Sequence, residues 1–103
     1  MDRIAALKEI LAGNPNDAFA RYGLAMEYSK TGALEAALAE FCKIVEVNPD
    51  YTAAYQMAGQ MLSNAGRFGE ARKMLENGMA CARRVGNQHA VSEMQGMVDL
   101  LPE

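Results

Sequence analysis

Laid against itself with a shift of 34 residues, the chain matches Ile10 to Ile44, Asn14 to Asn48, Pro15 to Pro49, Ala20 to Ala54, Ser29 to Ser63, Gly32 to Gly66 and Ala37 to Ala71. Where identity lapses, apolar character persists: Ile4 with Leu38, Leu7 with Phe41, Leu11 with Val45, Leu34 with Phe68, and Phe41 with Leu75. The identities fall at turns and packing points. A fixed period of this length marks stacked supersecondary units, each too small to bury its own apolar face and each completed by its neighbour.

Each period reads as two helices. Asp17 is placed to cap the first, along which Phe19, Leu24, Ala25 and Tyr28 recur at helical spacing up to Gly32, a C-terminal glycine. Leu34, Ala37, Leu38, Phe41, Ile44 and Val45 then form a wide apolar stripe that Asn48-Pro49-Asp50 ends, because proline disfavours helix in the residue before it. The pattern restarts with Ala54, Tyr55, Ala58, Met61 and Leu62 up to Gly66, followed by Phe68, Ala71, Met74, Leu75 and Ala82. Ala25, Ala37, Gly59 and Ala71 mark places where helices are predicted to approach closely.

These residues resemble the tetratricopeptide repeat (TPR) family, whose signature runs from a large aromatic to Leu-Gly-x-x-Tyr on the first helix, Ala-x-x-x-Phe on the second and a closing Pro. The first repeat has Leu24-Ala25-x-x-Tyr28, Ala37-x-x-x-Phe41 and Pro49, with Arg21 where the leading aromatic belongs. The second has Tyr55-x-x-Ala58-Gly59-x-x-Leu62 and Ala71-x-x-x-Leu75, with Arg83 at the place of the closing proline, so its second helix is free to run on. The fold expected is all-α, a single TPR solenoid of about six helices in antiparallel pairs. It divides into a capping helix in 1–15, repeats over 18–51 and 52–85, and a closing helix in 86–103. In that last segment Val91, Met94, Val98 and Leu101 recur at steps of three and four before Pro102.

The remaining features exclude more than they assign. With 103 residues the chain has room for one core but not for a core and a deep enclosed pocket. Ten Lys and Arg against 13 Asp and Glu give a net charge of −3, which disfavours a nucleic-acid surface. No apolar run approaches a membrane span, and Met1-Asp2-Arg3 lacks the apolar region of a secretory signal, so a cytoplasmic protein without membrane contact is expected. Cys42 and Cys81 are read as buried thiols. His89 is the sole histidine, and no triad, phosphate loop or ligand cluster can be assembled around it. Glu35, Glu40, Glu46, Glu70 and Glu76 lie near Lys43, Arg72 and Lys73 and read as a solvated face. No enzyme activity, cofactor or metal is expected.

What remains is recognition. The TPR resemblance implies a non-catalytic protein-protein interaction module that holds a partner peptide or helix on the concave face formed by successive first helices. Carried over position by position, that face has Phe19, Tyr22, Gly23 and Met26 in the first repeat, and Ala53, Gln56, Met57, Gln60 and Asn64 in the second. Aromatics and methionine offer adaptable apolar contact, amides can pair with a peptide backbone, and Gly23 permits close approach. Relatives of the chaperone-adaptor type grip a C-terminal carboxylate with cations where this chain has Tyr22, Met26, Met57 and Gln60. An apolar or neutral partner is therefore expected rather than an acidic C-terminal tail. The alternative is a homodimer through the same apolar surface.

Overall fold

The computed structural model describes residues 2–102. Met1 and Glu103, which belong to the expected end segments, lie outside the described residues. Among those described, the regular elements are six helices: α1 (Arg3–Gly13), α2 (Ala18–Lys30), α3 (Leu34–Val47), α4 (Thr52–Asn64), α5 (Phe68–Arg84) and α6 (Gln88–Asp99). They fall into two compact units, Met1–Asn48 with α1 to α3 and Pro49–Glu103 with α4 to α6. None of these helices is long and apolar enough to cross a membrane.

Two turn chemistries punctuate the chain. After α2, α4 and α5 the backbone reverses through Gly32, Gly66 and Gly86 at φ of 77°, 77° and 76°, a region in which a side chain is strained. At each of these turns the N–H just after the glycine donates five residues back: Ala33 to Tyr28 O (2.9 Å), Arg67 to Leu62 O (2.9 Å) and Asn87 to Ala82 O (2.7 Å). This is the Schellman closure, which satisfies carbonyls that the helix end would otherwise orphan. The helices before Asn-Pro close differently, with the Asn14 N–H donating to Ile10 O (2.9 Å) and the Asn48 N–H to Ile44 O (2.7 Å). At the helix starts, carboxylate or amide oxygens of Asp2, Asp17 and Asn87 accept from the N–H groups of Ala5, Ala20 and Ala90. With arginine at position 83 in place of proline, α5 runs 17 residues against 14 for α3.

In unit 1, Leu7, Leu11, Ala20 and Leu24 form a buried cluster flanked by Ile4 and Tyr28, which fastens α1 to α2. Ala25, Ala37, Phe41 and Ile44 are almost wholly buried. In unit 2 two helical glycines mark close contacts. A Cβ on Gly59 would sit 2.5 Å from Leu75 Cδ2, and one on Gly78 would sit 2.6 Å from Met94 Sδ and 2.7 Å from Tyr55 Cβ. Both glycines are therefore needed for α5 to seat against α4 and α6.

Two expectations are corrected. Glu40 does not belong to a solvated face. It is 8% exposed, with Oε1 2.6 Å from Arg21 Nη1 and Oε2 3.7 Å from Lys43 Nζ. The carboxylate is buried because the half-buried Arg21 guanidinium pairs with it. Cys81 is buried as expected, within 3.2 Å of Thr52 Oγ1, but Cys42 is exposed. It follows Phe41 by one residue, a step of about 100° around the helix, which carries it off the buried stripe.

Candidate functional site

In unit 1, α1 and α2 line an open groove of about 560 Å³. Its α2 side is a single stripe made of two interleaved rows, Phe19, Tyr22, Met26 and Lys30, and Phe19, Gly23, Glu27 and Lys30, each stepping by three or four residues, so all six share a helix face. Arg3 and Leu7 of α1 form the opposite side. All four residues expected on α2 thus lie in one concavity.

Each is held in a specific way. Gly23 forms the floor with Leu7, whose methyls lie 3.4 and 3.5 Å from where a Cβ would be built, so α1 has taken up part of the close approach that the glycine permits. Tyr22 is half-buried and stands edge-on to Phe41, with ring centroids 5.7 Å apart and planes at 71°, which fixes its ring as a wall. Met26 is half-buried beside it. Phe19, one turn toward the helix start, is 83% exposed. A phenylalanine this open forfeits most of the roughly 1.5–3 kcal/mol that burial would contribute, and it adjoins an apolar floor rather than standing alone.

The groove rim is ionic. Arg3 Nε lies 2.9 Å and Lys30 Nζ 3.4 Å from the same oxygen, Glu27 Oε1. Sequence patterning assigned none of Arg3, Leu7, Glu27 or Lys30 to a recognition surface. A hint was available in the 34-residue register, which aligns Leu7 with the core residue Phe41 and so assigns it to a packing face.

The five residues expected on α4 lie in unit 2. Ala53, Gln60 and Asn64 are exposed, and Gln56 and Met57 half-buried. Gln60 Nε2 donates to Asn64 Oδ1 at 2.9 Å, so these two amides satisfy each other across one helical turn. At the start of α4 a polar network ties the Pro49-Asp50 turn to α5: the Tyr55 hydroxyl donates to Pro49 O (3.1 Å), and Arg84 donates to Pro49 O (3.1 Å) and to Asp50 Oδ1 (2.9 Å). Burial and the neighbouring Cys81 push the Tyr55 phenol above its ordinary value, whereas the bond to Asp50 raises the Arg84 guanidinium. His89 is exposed, 3.4 Å from Glu93. Among the described residues no three His, Cys, Asp or Glu side chains come together as a metal site.

Known proteins share the fold. The tetratricopeptide repeat family model matches residues 20–51, which span α2, α3 and the following turn. A TPR repeat-containing protein of Pseudomonas aeruginosa is 33% identical over 91 residues, covering 88% of this chain and 87% of that protein. The solution structure of a tetratricopeptide repeat domain protein from Salinibacter ruber is 35% identical over 82% of this chain and 86% of its own, with a TM-score of 0.76. At 20% identity the TPR2B domain of yeast Sti1, solved in a complex with pHsp70, shares the fold with a TM-score of 0.84, over 92% of this chain and 76% of that one. With its 34-residue period, its glycine and Asn-Pro turns and these likenesses, the chain belongs to the tetratricopeptide repeat family.

Proposed function

We propose that this chain is a non-catalytic adaptor that docks a peptide or helix of a partner protein in the α1–α2 groove of unit 1. TPR domains are protein-protein interaction modules, and the observation that carries the finer reading is Phe19, a large aromatic 83% exposed at the mouth of an apolar groove. Exposed apolar surface next to a concavity is the usual mark of a contact site. A partner would seat apolar side chains on Gly23, Leu7 and Met26, between the rings of Phe19 and Tyr22. The residues expected on α4 would be a contact surface of unit 2 in its own right, with Ala53, Gln56 and Met57 as apolar and polar contacts and the Gln60 and Asn64 amides as partners for a peptide backbone. The Sti1 domain is seen with pHsp70. For this chain, with Tyr22, Met26, Met57 and Gln60 at the places of clamping cations, a chaperone-type C-terminal carboxylate is not the ligand we propose.

The test compares partners captured from native extract by the wild-type chain and by Phe19→Ala/Met26→Ala. Both positions are open or half-open, so the variant is expected to keep its helical circular dichroism and to lose its partners. Retention of the same partners at wild-type yield would refute groove docking. The same exposed ring also favours a second reading, a homodimer in which Phe19 of each copy fills the groove of the other. That reading requires a concentration-dependent mass in light scattering that Phe19→Ala abolishes, and a strict monomer over a hundredfold concentration range would remove it.

A further inference from the structure

We propose that the segment recognised by the α1–α2 groove carries an aspartate or glutamate next to its bulky apolar residue, with Arg3 and Lys30 receiving that carboxylate. This rests on the docking reading above and adds the chemistry of the partner. Two cations converge on one oxygen of one carboxylate, Glu27 Oε1, so the rim has a positive charge in excess. Both heads face solvent, the side chains of Arg3 and Lys30 being 66% and 71% exposed. A guanidinium has five N–H donors and an ammonium three, more than a single shared oxygen can accept. The guanidinium also overhangs the groove: Arg3 Nη2 lies 3.8 Å from where a Cβ on Gly23 would be built, directly above the floor on which an apolar anchor would rest. A carboxylate one residue from such an anchor therefore comes within reach of Arg3.

Carboxylates outnumber cations across residues 2–48, so the attraction for an acid is confined to the short range of Arg3 and Lys30. Charge of this kind selects among partners and speeds encounter more than it tightens the complex. The expectation of an apolar or neutral partner rested on Tyr22, Met26, Met57 and Gln60, and this inference departs from it because Arg3 and Lys30 lie outside those positions.

The test is selection of a random dodecapeptide library against the intact chain at low ionic strength, with parallel selections on Phe19→Ala/Met26→Ala and on Arg3→Glu/Lys30→Glu. We expect peptides that depend on Phe19 and Met26, are enriched in Asp or Glu beside a large apolar residue, and switch to Lys or Arg on the charge-reversed chain. Changing that acid to its amide in a selected peptide should weaken binding roughly twofold to fivefold at low salt, the scale of an exposed ion pair, and less at high salt. Groove-dependent peptides without acid enrichment would overturn this inference and leave the docking reading standing. Peptides indifferent to Phe19 and Met26 would overturn both. If the charge-reversed chain loses its helical signal, Arg3→Gln/Lys30→Gln serves instead, and acid enrichment undiminished on it would equally refute the role of the two cations.

Discussion

Residues at the same point in the 34-residue period carry different chemistry in the two units, and the contrast is sharpest at the Asn-Pro turns. In unit 2 the Tyr55 hydroxyl donates to Pro49 O at 3.1 Å. One period earlier Arg21 stands at that place and donates to Pro15 O at 2.7 Å through Nη2. The guanidinium thus preserves the bond to the turn that the aromatic makes. A charge in that interior needs a counter-charge, and Glu40 supplies it where unit 2 has Met74. The groove shows the same divergence: Phe19, Tyr22, Gly23 and Met26 correspond to Ala53, Gln56, Met57 and Gln60. Unit 2 has instead used glycine for closure, at Gly59 and Gly78. One repeat plan therefore yields a unit with a buried carboxylate paired to arginine and an apolar α1–α2 groove, and a unit whose helices seat on Gly59 and Gly78.

Exchanging the interior chemistry breaks this comparison most severely. Glu40→Ala should cost about 2 kcal/mol in denaturant unfolding, because it leaves the half-buried Arg21 guanidinium with only its bond to Pro15 O. Transplanting the unit 2 pair as Arg21→Tyr/Glu40→Met should return stability to within about 1 kcal/mol of wild type or above it, since a buried ion pair gains little over a well-packed apolar substitute. If the double variant is as unstable as the single one, the two positions are not interchangeable solutions.

Next in size are the helical glycines. Gly78→Ala is expected to destabilise by about 1–2 kcal/mol because its methyl meets Tyr55 Cβ and Met94, and Gly59→Ala by a similar amount, since its methyl would sit 2.5 Å from Cδ2 and 2.6 Å from Cγ of the fully buried Leu75. Gly23→Ala meets Leu7 at ordinary contact distance, and the better helix former should leave stability unchanged or raise it by up to about 1 kcal/mol. The same change narrows the groove floor, so partner binding should weaken while the thermal midpoint does not fall.

The smallest effect is alkaline. A phenol whose value is raised in the folded chain holds its proton more tightly folded than unfolded, so Tyr55 contributes fully below about pH 10 and progressively less as pH rises through its folded value. Denaturant midpoints should fall more steeply above pH 10 in wild type than in Tyr55→Phe; equal slopes would show that the phenol is not perturbed.

Helix positions were legible because the punctuation is chemical: glycine at the αL turns, Asn-Pro at the others, and apolar residues at helical steps between them. The α2 side of the groove was legible for the same reason, since Phe19, Tyr22, Gly23 and Met26 share one face whatever packs beside it. Its α1 side was not, because periodicity fixes which face of α1 is apolar but not how far Arg3 reaches over α2. Glu40 was hidden among neighbours of mixed charge, and its burial depends on a partner 19 residues away. Gly78 lay outside the apolar stripe read along α5, and only the approach of Met94 and Tyr55 shows why it has no side chain.

The central claim is that recognition belongs to the unit 1 groove. It is tested most directly by amide and methyl chemical-shift mapping of the intact labelled chain, titrated with a partner segment lost by Phe19→Ala/Met26→Ala. The account predicts shifts concentrated at Arg3, Leu7, Phe19, Tyr22, Gly23, Met26 and Lys30. Shifts centred on α5 and α6, with these residues unmoved, would contradict it.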